Sequence, residues 1–284
     1  MAKKLTIGMA VYDDFDGVYF SIQAMRMFHP EILDEVEFLI IDNNPDGPHA
    51  KAIKKLANHC KDTRYIPFKD YKSTAIRNEI FSNANTPYVL SMDCHVLFEA
   101  GSLKKLINYY DANSETRNLI QGPLLYDNLT SVHSHFKPVW SEQMFGIWDV
   151  DERAKDPNGA PFEIPMQGLG VFSCLKDAWA GFNPLFRGFG GEEGYIHGKY
   201  RKRGDKVLCL PFLRWVHRFD RPNGVRYPLD LNDRIRNYLI GHLELGLSPR
   251  KVIDHFSMWR SQEDLNAIYI GAVKDLEESR VINV

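Results

Sequence analysis

Residues 88–98 read YVLSMDCHVLF, an apolar run that is interrupted at its centre by Asp93, Cys94 and His95. The apolar flanks predict a buried β-strand that ends at the polar residues. Because side chains alternate along an extended strand, Asp93 and His95 are expected to point to the same side and to share a ligand. A carboxylate oxygen with an imidazole nitrogen suits a borderline cation such as Mn²⁺ better than Mg²⁺. Two such ligands are too few for a tight site, and the pattern alone is more typical of surface polar residues at a strand end than of a metal site.

Outward from this segment, the first hundred residues alternate between strand-like and helical patterns. The strand-like runs are KLTIGMAVY (4–12), VEFLIID (36–42), TRYIPF (63–68) and TPYVLSMD (86–93). The intervening segments space their apolar residues as helices do. This βαβ order predicts an α/β fold, in which a mostly parallel, Rossmann-like sheet is flanked by helices. Ligands of such sheets bind beyond the carboxyl ends of the strands, where Asp13, Asp42 and Asp93 fall.

The pattern changes twice further along the chain. Residues from about 120 to 225 are rich in glycine, proline and aromatic residues, with short strand-like pieces and long connections of the kind that often carry function. After Pro228 the spacing becomes helical again. We therefore expect one domain over residues 1–228 and a helical C-terminal extension over residues 229–284.

Composition excludes few functions. The 284 residues carry a net charge of -2, so no overall positive field argues for a nucleic-acid partner. The four cysteines are scattered, which is untypical of a zinc knuckle or a disulfide framework. No signal peptide or membrane span is apparent in the sequence, and we expect a cytoplasmic protein.

Three segments together resemble the GT-A glycosyltransferases. They are LIIDNNPDG (39–47), STAIRNEIFSNANTPYVLSMDCHV (73–96) and GFNPLFRGFGGEEGYI (181–196). The order of an Asp-Asn pair, an arginine that opens a helix and a D-x-H motif is most similar to the polypeptide GalNAc-transferase type and to family 2-like glycosyltransferases. A fourth segment, RWVHRFDRPNGVRY (214–227), is similar to the one that supplies that family's third metal ligand.

The resemblance implies a GT-A fold and a metal-dependent transfer of a sugar, hexosyl or pentosyl, from a nucleoside diphosphate, with UDP expected, to an acceptor hydroxyl. It implies that Asp93, His95 and His217 bind Mn²⁺ or another divalent cation. Asp42, Arg77 and Asp93 would contact the nucleotide sugar, and the first loop, from Ala10 to Tyr12, would pack on the base. The simpler interpretations are that Asp42 caps a turn and that Arg77 forms a surface ion pair.

The acidic pair in FGGEEGY adds candidate catalytic residues. Glu192 resembles the acid that contacts the acceptor in GT-A enzymes, and Glu193 is expected to act as the general base of an inverting reaction. The D-x-H motif instead favours retention, so the stereochemistry stays open. Trp179 is a candidate for stacking on the acceptor. Alternatively, either glutamate caps a helix or pairs with Lys199 or Arg201.

The acceptor class is also open at this stage: a glycan, a protein or a modified nucleobase, as in phage enzymes that glycosylate hydroxymethylated DNA bases. The basic run HGKYRKRGDK (197–206) would serve a nucleic acid, although such runs are usually solvated helix ends. Two rival functions are a nucleotidyltransferase and a non-catalytic module that binds sugar nucleotides. The missing Gly-rich phosphate loop argues against the first, and the complete set of metal and acidic residues against the second.

Overall fold

The structure is a computed structural model that describes residues 2–221 and 224–282, with the side chains at 193 and 280–282 outside the description. Fourteen strands and eight α-helices lie in the described ranges. The strands are β1 (Leu5–Val11), β2 (Val36–Asp42), β3 (Thr63–Pro67), β4 (Tyr88–Met92), β5 (Val96–Phe98), β6 (Leu119–Gln121), β7 (Leu124–Leu125), β8 (Val132–His133), β9 (His135–Ser141), β10 (Met144–Asp149), β11 (Phe162–Glu163), β12 (Val171–Leu175), β13 (Val207–Cys209) and β14 (Trp215–His217). The helices are α1 (Phe15–Phe28), α2 (Ala50–His59), α3 (Arg77–Asn83), α4 (Ser102–Ala112), α5 (Glu193–Lys202), α6 (Leu231–Leu245), α7 (Arg250–Phe256) and α8 (Gln262–Ile282).

Eight of the strands form one sheet in the order β11-β13-β6-β12-β4-β1-β2-β3. Strands β1, β2, β3 and β4 are mutually parallel, whereas β12 runs antiparallel to β4 and β6. The predicted mostly parallel α/β sheet is thus confirmed. The first four strands share one direction because each is followed or preceded by a crossover helix, as their βαβ order requires.

The sheet is covered on both faces. In β2, Phe38 and Ile40 pack into one apolar cluster, while Leu39 and Ile41 pack into the other. This alternation follows from the period of two in a strand, and it explains why the β2 sequence reads as a continuous apolar run. Gly8 lets helix α3 approach β1 closely, since a Cβ at this position would lie 2.1 Å from the Ile80 side chain.

A second sheet, in the order β5-β14-β7-β8, lies beyond the carboxyl end of β4. The expectation that Asp93 and His95 share one extended strand was wrong. Strand β4 ends at Met92, and a turn over Asp93 to His95 leads into β5. The turn forms because the Asp93 amide donates to the Gly170 carbonyl, at 2.8 Å, while the chain after His95 pairs with β14 of the other sheet.

The C-terminal helices pack on the rest of the chain rather than projecting from it. Ile235, Leu239 and Phe256 share an apolar cluster with Tyr195 of α5 and Phe186 of the preceding loop. Glu244 of α6 adds polar contacts to α5, including a 2.6 Å hydrogen bond from the Tyr195 hydroxyl. The predicted helical region is present, and it supports the loop that precedes α5. Across the described residues, no helix combines the length and apolarity needed to cross a bilayer.

Candidate active site

Strand pairing brings a distant histidine beside the turn after β4. His217 at the end of β14 lies opposite Val96 in β5, and the Arg218 amide donates to the His95 carbonyl. The Nε2 atom of His217 is therefore 3.1 Å from His95 Nε2 and 3.4 Å from Asp93 Oδ2. The three side chains that the sequence predicts as metal ligands lie together at one point.

The proton on His95 is fixed by its two neighbours. An Arg221 guanidinium nitrogen lies 2.5 Å from Nε2 and can only donate, so Nε2 is the unprotonated nitrogen. The Nδ1–H then donates to Asp14 Oδ2 at 2.8 Å. Burial lowers the pKa of His95, which keeps the ring neutral at neutral pH. The Nε2 lone pair, which accepts from Arg221 here, is the one that a cation would take in place of that hydrogen bond.

The donor set fits a divalent cation. One ligand atom from each of Asp93, His95 and His217 lies within 4.8 Å of the others. Two nitrogens that are each about 2.1 Å from an ion, at right angles about it, are about 3.0 Å apart, which matches the His95 to His217 separation. Burial alone would raise the pKa of Asp93, but its contacts with His217 and Arg77 hold that pKa below the usual range. The carboxylate is thus ionised and ready to bind.

Asp14 is an outer partner of this cluster. Its side chain accepts from the Gly17 amide at the start of α1, from His95, and from Arg218 at 3.2 Å. Burial opposes ionisation, yet the hydrogen bonds of His95 and Gly17 keep the pKa of Asp14 below its ordinary value. A carboxylate that holds the far nitrogen of a histidine orients that ring and raises its basicity toward a metal.

Arg77 joins the cluster to the loop before α5. Its two terminal nitrogens lie 3.3 Å from Asp93 Oδ1 and 3.4 Å from Glu192 Oε1. Burial raises the pKa of Glu192, and Arg77 opposes that rise. The second carboxylate oxygen of Glu192 is buried and finds no hydrogen-bond donor among the residues that the structure describes. A hydroxyl group of a ligand would supply that donor.

A cleft of about 530 Å³ opens in front of the cluster. Basic side chains from three parts of the chain lie along it, and they are Lys72, Arg77, Arg187, Arg218, Arg221 and Arg226. Lys72 lies over the ring of Tyr12 at 5.1 Å, and Arg226 contacts His49 at 3.0 Å. A planar guanidinium group can donate two parallel N–H hydrogen bonds to a pair of phosphate oxygens, so this wall suits an anionic ligand with several phosphates.

Of the residues predicted to bind the nucleotide, four line the cleft and one is buried below it. Ala10, Tyr12, Arg77 and Asp93 line the cleft. Asp42 is buried beneath it, where it accepts from the Tyr65 hydroxyl at 2.7 Å and from the Asn44 amide at 3.0 Å. These contacts correspond to the turn-capping interpretation of Asp42.

Trp179 lies away from the cleft. Its indole stacks on Phe81 with 4.0 Å between ring centres, and Nε1 donates to Asn78 Oδ1. Neighbouring Phe172 and Phe182 complete an aromatic cluster, so packing accounts for this residue. Glu193 begins α5, and the prediction for its side chain lies outside the described residues.

Comparisons with known proteins identify the family and the fold of the chain. Residues 6–176, which include β4 and the turn from Asp93 to His95, match the model of the glycosyl transferase family 2. The chain belongs to this family. No curated protein sequence matches significantly.

Two solved structures share the fold of this family 2 chain. A crystal structure of GalNAc-T7 with UDP, GalNAc and Mn²⁺ matches with a TM-score of 0.66 and 13% identity, over 85% of this chain and 48% of that one. The structure of TarS residues 1–349 from S. aureus matches with a TM-score of 0.54 and 11% identity, over 91% of this chain and 73% of that one. The GT-A fold is thereby confirmed. The chain spans about half of the GalNAc-T7 chain.

Several residues of this family 2 site escaped the sequence interpretation. Asp13 was noted at the end of β1, but it is the next residue, Asp14, that contacts His95. The segment after His217 contains Arg218, Arg221 and Arg226, which all line the cleft. The many arginines in this short segment could have been recognised in the sequence as a signal of phosphate contact.

Proposed function

We propose that this chain is a metal-dependent glycosyltransferase that moves a sugar from a nucleoside diphosphate, with UDP expected, to an acceptor hydroxyl. The single observation that carries the proposal is the meeting of Asp93, His95 and His217 beside an arginine-lined cleft, whose wall includes Asp93 and His95. The UDP and Mn²⁺ in the GalNAc-T7 structure, on the same fold, support the same donor and cation.

The reaction needs a site that stabilises a departing diphosphate. As the bond between the sugar and the diphosphate breaks, negative charge grows on the leaving oxygen. A divalent ion held by Asp93, His95 and His217 supplies Lewis-acid stabilisation of that charge. Arg218 and Arg221 from the segment after β14 donate further hydrogen bonds to the phosphate oxygens. Mn²⁺ is the cation we propose, because the ligand set mixes oxygen and nitrogen.

The nucleoside would lie at the other end of the cleft. Ala10, near the end of β1, and Tyr12, just after the strand, offer a surface for the base, and Asn43 also lines the cleft. Asp42 supports that wall from beneath by holding Tyr65 and the Asn44 amide. The nucleotide thus binds beyond the carboxyl ends of β1 and β2, as expected for an open α/β sheet.

Two acids are proposed on the acceptor side. Glu192 is buried beside Arg77 and offers an unpaired oxygen to the acceptor hydroxyl. Glu193, which follows at the start of α5, is proposed as the general base that removes the hydroxyl proton in an inverting reaction. Glu193→Gln would then bind donor normally and abolish transfer.

A donor screen tests the proposal. Purified protein with Mn²⁺ is incubated with UDP-, GDP- and other nucleoside-diphosphate sugars, and the release of free nucleotide is measured for the parent and for Asp93→Ala. We expect hydrolysis of one donor class by the parent and a loss of at least about a hundredfold in the variant. If the parent neither binds nor cleaves any donor, the enzyme proposal is refuted. Donor binding without cleavage would point to a sugar-nucleotide-binding module.

A further inference from the structure

A second groove lies beside the active site, outside the nucleotide cleft. It is bounded by the turn of the β9–β10 hairpin, by the second sheet and by the C-terminal helices. Its lining residues are Tyr126, His133, Ser141, Glu142, Gln143, Met144, Gly146, Ile147, Trp148, Arg234 and Trp259. The nucleotide cleft has a separate set of lining residues, so the groove is free to hold a second substrate.

An aromatic path connects the groove to the metal cluster. The ring centre of Tyr126 lies 6.2 Å from that of Phe219, and the two rings are stacked. Phe219 in turn lies 4.3 Å from the ring of His217. A ligand that rests on Tyr126 and on the exposed Phe219 side chain therefore reaches the proposed metal ligands without crossing the nucleotide cleft.

The opposite wall leads to the acidic pair. Arg234 of α6 lines the groove and lies against the loop before α5, since a Cβ on Gly190 would be 2.5 Å from Arg234 Nε. Gly190 is two residues before Glu192, whose unpaired carboxylate oxygen is proposed above to meet the acceptor hydroxyl. The groove is thus linked to His217 through Phe219 on one side and to the loop before Glu192 through Arg234 on the other.

The lining chemistry identifies the ligand class. Tyr126, His133, Trp148 and Trp259 are all half-buried, so each shows part of a ring to the groove. Flat apolar faces stack on the C–H faces of sugar rings, and the carboxylate of Glu142 and the amide of Gln143 can bond sugar hydroxyls. Among the described lining residues, Glu142 is balanced by a single guanidinium, that of Arg234. Such a groove lacks the positive charge that a phosphate backbone requires.

We propose that this groove binds the acceptor, and that the acceptor is an uncharged saccharide chain rather than a nucleic acid. The inference rests on the proposed transferase function, because only a transferase needs an acceptor site. It assigns a role to the C-terminal helical region, because Arg234 of α6 and Trp259, in the connection between α7 and α8, line the groove. It also gives the acceptor a site of its own beside the donor cleft, as transfer between two substrates requires.

The experiment is a binding measurement that does not need turnover. The full chain, with and without UDP and Mn²⁺, is probed on an array of neutral oligosaccharides, and positive members are titrated by calorimetry. Tyr126→Ala and Glu142→Gln are the test variants, the second because an exposed carboxylate is replaced without loss of packing. Phe20→Ala, which removes an exposed aromatic ring from α1, is the matched control.

We expect at least one neutral saccharide to bind, with about a fivefold to tenfold loss of affinity in each groove variant and none in Phe20→Ala. UDP affinity, measured on the same samples, should stay unchanged in all variants. Failure of the parent to bind any saccharide while it binds UDP would overturn the acceptor inference alone. Equal saccharide binding by groove variants, or preferred binding of hydroxymethylated DNA, would overturn it too. If the parent protein does not bind UDP at all, the proposed function itself is refuted.

Discussion

The Nε2 atoms of His95 and His217 lie 3.1 Å apart although 122 positions separate the two residues in the chain. Pairing between β5 and β14 enforces this proximity, and Asp14 and Arg221 fix which nitrogen of His95 carries the proton. Two imidazole nitrogens at this distance, with Asp93 beside them, form the centre on which the proposed chemistry depends.

Asp14→Asn should weaken Mn²⁺ binding about tenfold to a hundredfold, the usual cost of losing an outer-sphere partner of a metal ligand. Asparagine caps a helix as well as aspartate does, so α1 should stay intact, but the lost charge, which pairs with His95 and Arg218, should lower the free energy of unfolding at neutral pH. Mn²⁺ affinity and thermal unfolding are measured together. Asp34→Asn, an exposed change, is the control, and undiminished Mn²⁺ affinity in Asp14→Asn would contradict the orienting role.

Arg221→Ala should reduce the affinity for UDP about tenfold to a hundredfold, because a charge-assisted hydrogen bond to a phosphate is lost. The affinity for uridine, which has no phosphate, should stay nearly constant. Calorimetric titrations of both ligands give the ratio, with the exposed Arg250→Ala as the matched control. An equal loss for uridine and UDP would show that Arg221 acts through the fold and not on the diphosphate.

Mn²⁺ and UDP should each increase the affinity of the protein for the other. The cluster contains Asp93 but also lies close to Arg77 and Arg221, so its local charge does not favour a cation by itself. A bound diphosphate supplies the missing negative charge. We expect a coupling of about tenfold or more, equal in both directions because linkage is reciprocal. Tight Mn²⁺ binding that is indifferent to UDP would argue against a shared site.

The contact between α5 and α6 should make stability depend on acid pH. Burial by itself would raise the pKa of Glu244, but hydrogen bonds from Tyr195, Asn183 and Lys199 hold it below the ordinary value of 4.5. A lowered pKa means that the ionised form stabilises the fold, fully so above about pH 4.5, and that this stabilisation is lost as the pH falls through the lower folded pKa.

Glu244→Gln should therefore lower the free energy of unfolding by about 1–3 kcal/mol at neutral pH. The difference from the parent should shrink below about pH 4.5, where the parent carboxylate becomes protonated. Urea denaturation at several pH values measures both effects, with the exposed Glu263→Gln as the control. A difference that is constant down to acid pH would mean that the charge of Glu244 contributes nothing.

The sequence predicted the fold well where local patterns determine it. Alternating strand and helix periodicities gave β1 to β4 and the crossover helices, since each apolar run had to be buried on two faces. The second sheet and the β9–β10 hairpin were not foreseen. Their strands are short, and their pairing joins residues far apart in the chain, such as Val96 and His217, which no local pattern reveals.

The candidate site was predictable where motifs carry the information. Asp93, His95, His217, Arg77 and Glu192 were named from the sequence, and the structure brings them together. Trp179 and Asp42 show the limit of such reasoning. An aromatic ring can stack on a ligand or on its neighbours, and a carboxylate at a strand end can face a cleft or cap a turn. Only the tertiary packing decides between these alternatives.

The location of the metal tests the central claim most directly. Crystals of the protein grown with UDP and MnCl₂ can be measured on both sides of the manganese absorption edge, so that anomalous scattering marks the ion without reference to activity. The account predicts one strong peak within bonding distance, about 2.0–2.3 Å, of an Asp93 oxygen and of Nε2 of both His95 and His217. A manganese peak elsewhere in the molecule, or density for UDP with no manganese at these three side chains, would contradict it.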